Sequence, residues 1–443
     1  MSTQTSGAGI GGLVTGGAGV VLRRNALWLI CLAIALVMPW LFFDFTTGRH
    51  SGFVVSMLSQ MGLMIVLAMS FNMLMGQAGL LSFGHAVFFG FGGYCTAHAL
   101  NAIKAETMWL PVELVPLVDG AGGLVFALVL GYPATKQRAT AFAMITLAIG
   151  ELVTACALMF KLFFGGEGGV STDRMIDTSL FGFSYSQSIQ VYYLVVAWTV
   201  IAVALMWLQT QTPLGRMANA CRDNFERAQF VGYDPRRVRY WQFALSGFFA
   251  GIGGALYALV YEIVTFDTLA APMSGNALLM AYIGGAGGFF GPVLGAILVV
   301  LLQSGVSLLS SAWLVYVGVL FIIMVMFAPG GMIGLIGAHK PIARIGRLRA
   351  LMVPYARMLV PALLALLGFV LLVEFATFMT IGAAQGKKFK LFAGELDPAT
   401  ALPWLIAGGA LVLGGLWLRR EARAFRVVWD GLMAEAKARG AAA

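Results

Sequence analysis

Three short stretches of this sequence combine residue types and spacings that could do mechanical or chemical work. The first is 209–240. Thr212 before Pro213, and Gly232 before Asp234-Pro235, predict a helix over 213–231 with a capping hydroxyl, a first-turn proline and a glycine stop. At 3.6 residues per turn, Met217, Cys221, Phe225 and Ala228 fall on one side, and Arg216, Arg222, Asp223, Glu226 and Arg227 on the other. Such a helix either lies on lipid headgroups or docks a soluble partner, and periodicity does not separate the two. The acids among the arginines tilt the balance toward a protein surface.

The second stretch is Gly76-Gln77-Ala78-Gly79-Leu80-Leu81-Ser82-Phe83-Gly84-His85-Ala86, with further glycines at 90, 92 and 93. Glycines here permit close backbone approach or an unwound segment. His85 requires a partner or a cavity, and a hydrogen-bonded structural histidine is the plainer expectation. Asn72, Glu151, Glu262, Asn276, Gln303 and Glu374 are the other polar residues noted in apolar surroundings, with Glu151 the most central acid. The third stretch, Gly165–Thr172, is glycine-rich and polar, and is expected to be a flexible outside loop placed to meet something beyond the membrane, or else a plain connector.

Several chemistries are excluded. There is no G-x-x-x-x-G-K-[ST]; the stretch 382–388 has the wrong spacing and Lys388 in the Ser/Thr position. H-E-x-x-H, G-x-S-x-G and metal-type Cys/His spacings are absent too, so no catalytic residue or metal site is expected. The four cysteines form no C-x-x-C pair, and Cys31, Cys95 and Cys156 sit in or beside apolar runs as small hydrophobes.

The elements that must carry these residues are membrane helices. The chain has 443 residues, 60% of them hydrophobic and 11% charged, too little polar surface for a soluble domain of this size. Apolar runs fall at 26–43, 53–75, 83–100, 114–131, 139–163, 189–208, 240–261, 274–287, 290–310, 312–334, 358–382 and 402–418. The eighth is short and bounded by glycines, as a broken or re-entrant helix would be. The first is read as an uncleaved span, since Pro39-Trp40-Leu41-Phe42-Phe43 is no cleavage site. The expected fold is therefore all-α and polytopic: a core of about ten helices, some broken at glycines, plus two C-terminal spans.

With the N-terminus in the cytoplasm, 21 of the 28 Lys and Arg residues fall on the cytoplasmic side. The net charge of +9 is thus a topology signal, and no nucleic-acid partner is expected. Residues 1–25 read as a flexible N-terminus, 26–336 as a transmembrane core with its distinctive segment at 212–232, and 337–443 as a basic linker, two further spans and a cytoplasmic tail.

Gly76–Tyr94, Thr146–Leu152, Thr212–Gly232, Phe243–Tyr257, Tyr282–Gly295 and Pro329–Leu335, taken in order, resemble the LivM-type permease subunit of branched-chain amino acid ABC transporters. The resemblance covers roughly 26–336. It implies a subunit of the bacterial inner membrane that pairs with a second, homologous permease above two ABC ATPase subunits and receives its substrate from a periplasmic amino-acid-binding protein. It implies that this chain binds no cofactor and that ATP is used in the partner subunits. Segment 213–231 then corresponds to the element that couples to the ATPase, through Gly215, Arg216, Arg222, Asp223, Arg227 and Gly232. The substrate path is expected near Asn72, Gly76, Gln77, Gly79, Ser82, Gly84, His85, Glu151, Asn276 and Gly284. Related permeases carry urea or other small amides and acids. The competing classes are an ion-coupled secondary transporter and a membrane anchor that works through its C-terminal extension.

Overall fold

The computed structural model describes residues 32–44, 49–137, 139–176, 178–180, 182–382, 390, 391, 394, 395 and 400–440. The expected flexible segment 1–25, Cys31, and most of the first half of the first apolar run lie outside them. Seven of the described helices are long and apolar enough to cross a membrane, or eight if one bent pair counts as a single span. The chain is a multi-pass, all-α membrane protein; the only strands among the described residues are two-residue pairs.

The chain divides into two compact units, Met1–Ala277 and Leu278–Ala443. This division lies well before residue 337, where the composition changes. In the first unit the α-helices longer than four residues are α1 (Leu32–Leu41), α2 (Gly52–Asn72), α3 (Ala86–Lys104), α4 (Val115–Ala134), α5 (Ala139–Met159), α6 (Ser188–Gln211), α7 (Pro213–Asp223), α8 (Phe225–Phe230) and α9 (Pro235–Tyr261). Helix α10 (Ala271–Gly284) crosses the division.

Helix α9 is the most buried span, and it packs against α2, α3 and α4. Its glycines make this possible. A Cβ on Gly251 would stand 3.0 Å from the Asp119 carbonyl and 3.2 Å from the Gly120 and Gly123 Cα atoms, so α4 and α9 touch backbone to backbone. Helix α3 was expected as an apolar span, yet it is not among the seven apolar crossing helices. Its buried residues run from Ala86 to Ile103, so neighbouring helices and not lipid surround it, and it tolerates Thr96 and Asn101. The Thr96 hydroxyl lies 2.5 Å from Asp119 Oδ2 and ties α3 to α4 inside the membrane.

The loop 165–172 is held, contrary to the expectation of flexibility. Val170-Ser171 pairs antiparallel with Ile263-Val264, and the Thr172 amide donates to the Glu262 carbonyl at 2.9 Å. Arg174 donates to the Leu259 and Val260 carbonyls at 3.1 and 3.0 Å, closing the C-terminus of α9. Glu262, noted as a polar span residue, is the αL cap of that helix and accepts from the Arg174 amide at 3.2 Å.

In the second unit, α11 (Gly291–Val300) folds back on the end of α10 through a turn of about one glycine-rich loop, and α12 (Trp313–Phe327), α13 (Gly331–Ala338), α14 (Met352–Thr377) and α15 (Ala401–Ala438) follow. Gly284 and Gly291 meet backbone to backbone, as do Gly295 and Met280. The eighth and ninth apolar runs therefore form a hairpin of two short helices. Helices α14 and α15 are antiparallel partners, with Gly414 against Ala365 and Phe375 beside Trp404. Below them Ile342, Leu351 and Leu432 form a small core with Phe425, Trp429 and Met433, so the basic linker and the tail fold together.

Candidate functional site

The site begins at the sharp end of α7. Thr212 Oγ1 accepts from the Gly215 amide at 3.3 Å, and Pro213 occupies the first turn. One continuous helix to Val231 was expected; the structure has two. Asn224 adopts an extended conformation (φ −154°, ψ 105°), and its Oδ1 accepts from the Arg227 amide at 2.9 Å. A residue that can cap a helix thus starts a second one, because a short polar side chain competes for the backbone that would otherwise continue α7. Gly232 (φ +89°) ends α8, and Asp234 caps α9.

Of the expected apolar side, Cys221 and Ala228 are buried but Met217 and Phe225 only half-buried, while Gly215 and Ala218 are buried as well; Arg216, Arg222, Asp223, Glu226 and Arg227 are exposed as expected. Burial pushes the Cys221 thiol pKa upward, as fits a small hydrophobe. Gly215 lies so close to the Thr210 Cα, 2.7 Å from where a Cβ would be, that α7 is pinned under the end of α6. Sequence periodicity missed the tip of this element. Phe230 is 90% exposed and Val231 67%, with Tyr233 also exposed. Their signal was available: they interrupt the polar run just before the stop glycine.

The partner of this face is the broken end of α2. After Asn72 the helix widens into a π turn, Met73–Gln77, and the chain then leaves through Gly79 in the left-handed region (φ +67°). Arg222 donates from its guanidinium to the Gly76 carbonyl. Its aliphatic stem covers Gly79, where a Cβ would meet Arg222 Cγ at 2.8 Å. The other edge of the guanidinium pairs with Asp223 at 3.0 Å. Behind this contact lies a buried amide chain that the sequence reading named only at Gln77. Gln242 Nε2 donates to the Met73 carbonyl and to Gln77 Oε1, both at 3.0 Å, and Gln209 Nε2 donates to Gln242 Oε1 at 2.7 Å. The ends of α2, α6 and α9 are thereby joined beside α7.

From Gly79 the chain runs under α5. The Phe83 amide donates to Thr146 Oγ1 at 3.2 Å, and Gly150 stands with its Cβ position 3.3 Å from the Gly84 Cα. His85 is fully buried; its Nε2 lies 2.9 Å from Ser70 Oγ, and Phe71 and Phe88 meet the ring edge to face. Because Ser70 gives its proton to the Leu67 carbonyl at 2.7 Å, the imidazole donates from Nε2. His85 Nδ1, Asn72 Oδ1 and Ser82 Oγ are buried without a partner among the described residues. Glu151, one residue beyond the Gly150–Gly84 contact, is exposed near the middle of its span and has no hydrogen-bond or ion-pair partner among the described residues. Asn276 is half-buried on α10 in the first unit, and the Ala86 amide donates to its neighbour Ser274 at 2.8 Å. Gly284 is buried in the second unit, in the hairpin contact with Gly291. No group of three or more His, Cys, Asp or Glu suited to a metal ion occurs among the described residues.

A family profile described as the permease component of a branched-chain amino acid transport system matches residues 53–329. The chain belongs to this permease family. It is 25% identical over 338 residues to the high-affinity branched-chain amino acid transport system permease protein LivM of Salmonella typhimurium, covering 71% of this chain and 76% of the relative. Against LivM of Escherichia coli it is 26% identical over 331 residues, covering 70% and 75%. A galactose/methyl galactoside import permease protein, MglC of Salmonella typhimurium, is 28% identical over 219 residues, covering 47% and 63%. No solved structure matches. The family match ends at 329, so α13 to α15 are outside it.

Proposed function

We propose that this permease is the membrane subunit of an ATP-driven importer of branched-chain amino acids in a bacterial inner membrane. The supporting observation is the Arg222 contact. One exposed, mixed-charge helix grips the carbonyl and the glycine surface of a broken membrane helix, so a force on α7 is delivered to Gly76–Gly79. A lipid-surface helix has no need of that contact. The protruding Phe230 and Val231, beside Arg227 and Glu226, suit an apolar pocket with a polar rim on a soluble partner. The partners proposed are two ATPase subunits beneath, a homologous second permease, and a periplasmic binding protein. ATP is bound in the ATPase chains, and this chain performs no catalysis.

Movement at Gly76–Gly79 would reach the path through the Phe83–Thr146 and Gly84–Gly150 contacts, which place Glu151 at the end of the same chain of elements. A charged group at the centre of a span faces an insertion penalty of about 3 kcal/mol in lipid, so exposed Glu151 belongs against water or another subunit. A carboxylate there favours a ligand with an ammonium group, such as an amino acid, over a neutral sugar. Asn72 and Ser82 supply unpaired polar atoms along the same stretch.

The test is uptake of leucine into proteoliposomes holding this chain with its neighbouring ATPase and second permease, plus the binding protein. Uptake that requires ATP and is abolished by Arg222→Glu is expected. Uptake driven by an ion gradient without ATPase would reject the proposal in favour of a secondary transporter. Galactose uptake in place of leucine would keep the importer and replace its substrate.

A further inference from the structure

Helix α15 does not stop where its apolar part ends. Residues 401–418 span about 27 Å at 1.5 Å per residue, enough for most of a hydrocarbon core of about 30 Å. Trp417, half-exposed, marks the interface, and its indole donates to Glu421 at 3.3 Å. The helix then continues to Ala438. Its first two exposed turns carry Arg419, Arg420, Arg423 and Arg426. At 100° per residue, Arg419, Arg423 and Arg426 fall in one stripe about 60° wide. Phe425, Trp429 and Leu432 centre about 120° further round the helix, in the small core with Ile342 and Leu351. The stripe therefore points away from the protein's own packing.

A fifth arginine joins this level from the neighbouring helix. Gly414 packs on Ala365 and Tyr355 on Phe425 (ring centroids 5.0 Å), which fixes the antiparallel register of α14 against α15. Arg357 then lies level with residues 422 and 423. Among the described residues, none of these five arginines has an ion pair or a hydrogen bond. By contrast Arg347 and Arg439, farther along, share Glu435 at 3.5 and 2.6 Å. The run from Arg419 to Arg426 rises about 10 Å, comparable to the headgroup layer of about 5–8 Å on each side of a bilayer.

We propose that Arg357, Arg419, Arg420, Arg423 and Arg426 form a binding belt for the phosphate groups of anionic phospholipids. The depth, the aromatic marker and the unpaired guanidinium groups all suit a phosphodiester, which arginine holds in fork geometry. An acidic patch on a partner protein is the competing occupant.

The full-length chain, purified in mild detergent, is titrated with short-chain phosphatidylglycerol and, separately, phosphatidylcholine, and its thermal midpoint is followed. Phosphatidylglycerol should raise the midpoint at low salt and lose most of its effect at high salt, while phosphatidylcholine should do neither. Each Arg→Gln change in the belt should weaken phosphatidylglycerol binding roughly fivefold. The quadruple variant R357Q/R419Q/R423Q/R426Q should abolish the shift, and the distant R349Q/K437Q should keep it. Should the quadruple variant fail to fold, Arg423→Gln, which removes an exposed and unpaired side chain, carries the same test. Equal responses to the two lipids, or wild-type binding in the folded belt variants, would overturn the proposal. So would belt variants that bind lipid normally but lose a co-purifying protein, since the belt would then be a protein-docking surface.

Discussion

Arg222 makes two contacts that a shorter or less forked cation cannot make together: a hydrogen bond to the Gly76 carbonyl and stem packing over Gly79. Gly79 has two reasons to be glycine, its positive φ and the absence of room for a Cβ. Gly79→Ala imposes a left-handed alanine, at about 1–2 kcal/mol, and displaces the Arg222 stem. The expected outcome is a transporter that assembles and hydrolyses ATP but imports leucine several-fold more slowly, read as uptake per ATP hydrolysed. Glu151→Gln is a separate case. It removes charge without changing shape, so assembly should be normal while leucine uptake falls at least tenfold; unchanged uptake would remove Glu151 from the path. The types of these residues were visible in the sequence, but the Arg222–Gly76 contact spans 146 positions, and no local period reports such a pairing. Gln209 and Gln242 were missed for the same reason, because a buried amide chain forms only when three helix ends converge.

Helices α7 and α8 illustrate what periodicity can and cannot supply. Their two faces were legible, because burial on a helix follows a 3.6-residue repeat whatever lies beneath it. The break between them at Asn224 was not, because capping and continuing compete within less than the free energy of a few hydrogen bonds. Their exposed tip was overlooked because apolar residues near a stop signal are ordinarily assigned to the buried side. Phe230→Asp should leave the fold intact, since the ring is 90% exposed, and should reduce the ATPase that co-purifies with the permease by tenfold or more. The glycine-rich loop at 165–172 illustrates the opposite error: composition suggested mobility, and the Val170–Val264 strand pair together with Arg174 holds it. Lys104 adds to this, donating to Asp173 at 2.6 Å and holding its carboxyl below the ordinary aspartate range. A depressed carboxyl pKa stabilises above the unfolded value, near 3.9, and that contribution disappears as pH falls through the folded value. The protection of the loop amides, read as the ratio of intrinsic to observed exchange rate, should therefore fall on acidification below about pH 4 in wild type. Lys104→Gln should show the lower protection already at neutral pH, with global stability unchanged, because the pair is exposed.

At the scale of the whole chain, the question is which ends of the helices share a side of the membrane. The strong bias of Lys and Arg in the sequence predicts the tip of α8, the linker after α13 and the tail of α15 on one side of the membrane, and the loop 165–172 on the other. The hairpin of α10 and α11 does not disturb this assignment, since a hairpin that enters from one side returns to it, however deep it goes. Its depth follows from the second unit's own packing. Gly285, at φ +107°, abuts the Gly330 carbonyl, and Gly288 lies against Ile333. The turn is thus level with the far end of α12, whose 15 residues rise about 22 Å. The turn is therefore expected past the midplane, on the linker's side. Single cysteines in a chain freed of its native four test the arrangement. Glu167→Cys should react with a membrane-impermeant thiol reagent from one side only, and Phe230→Cys and Val427→Cys from the other. Gly287→Cys, where a side chain meets nothing within 4 Å, should react with a small thiol reagent from the side of Val427. Reaction from the side of Glu167 would mean that the hairpin stops in the outer half, and that the contact with Gly330 belongs to a helix end on the wrong side of the membrane.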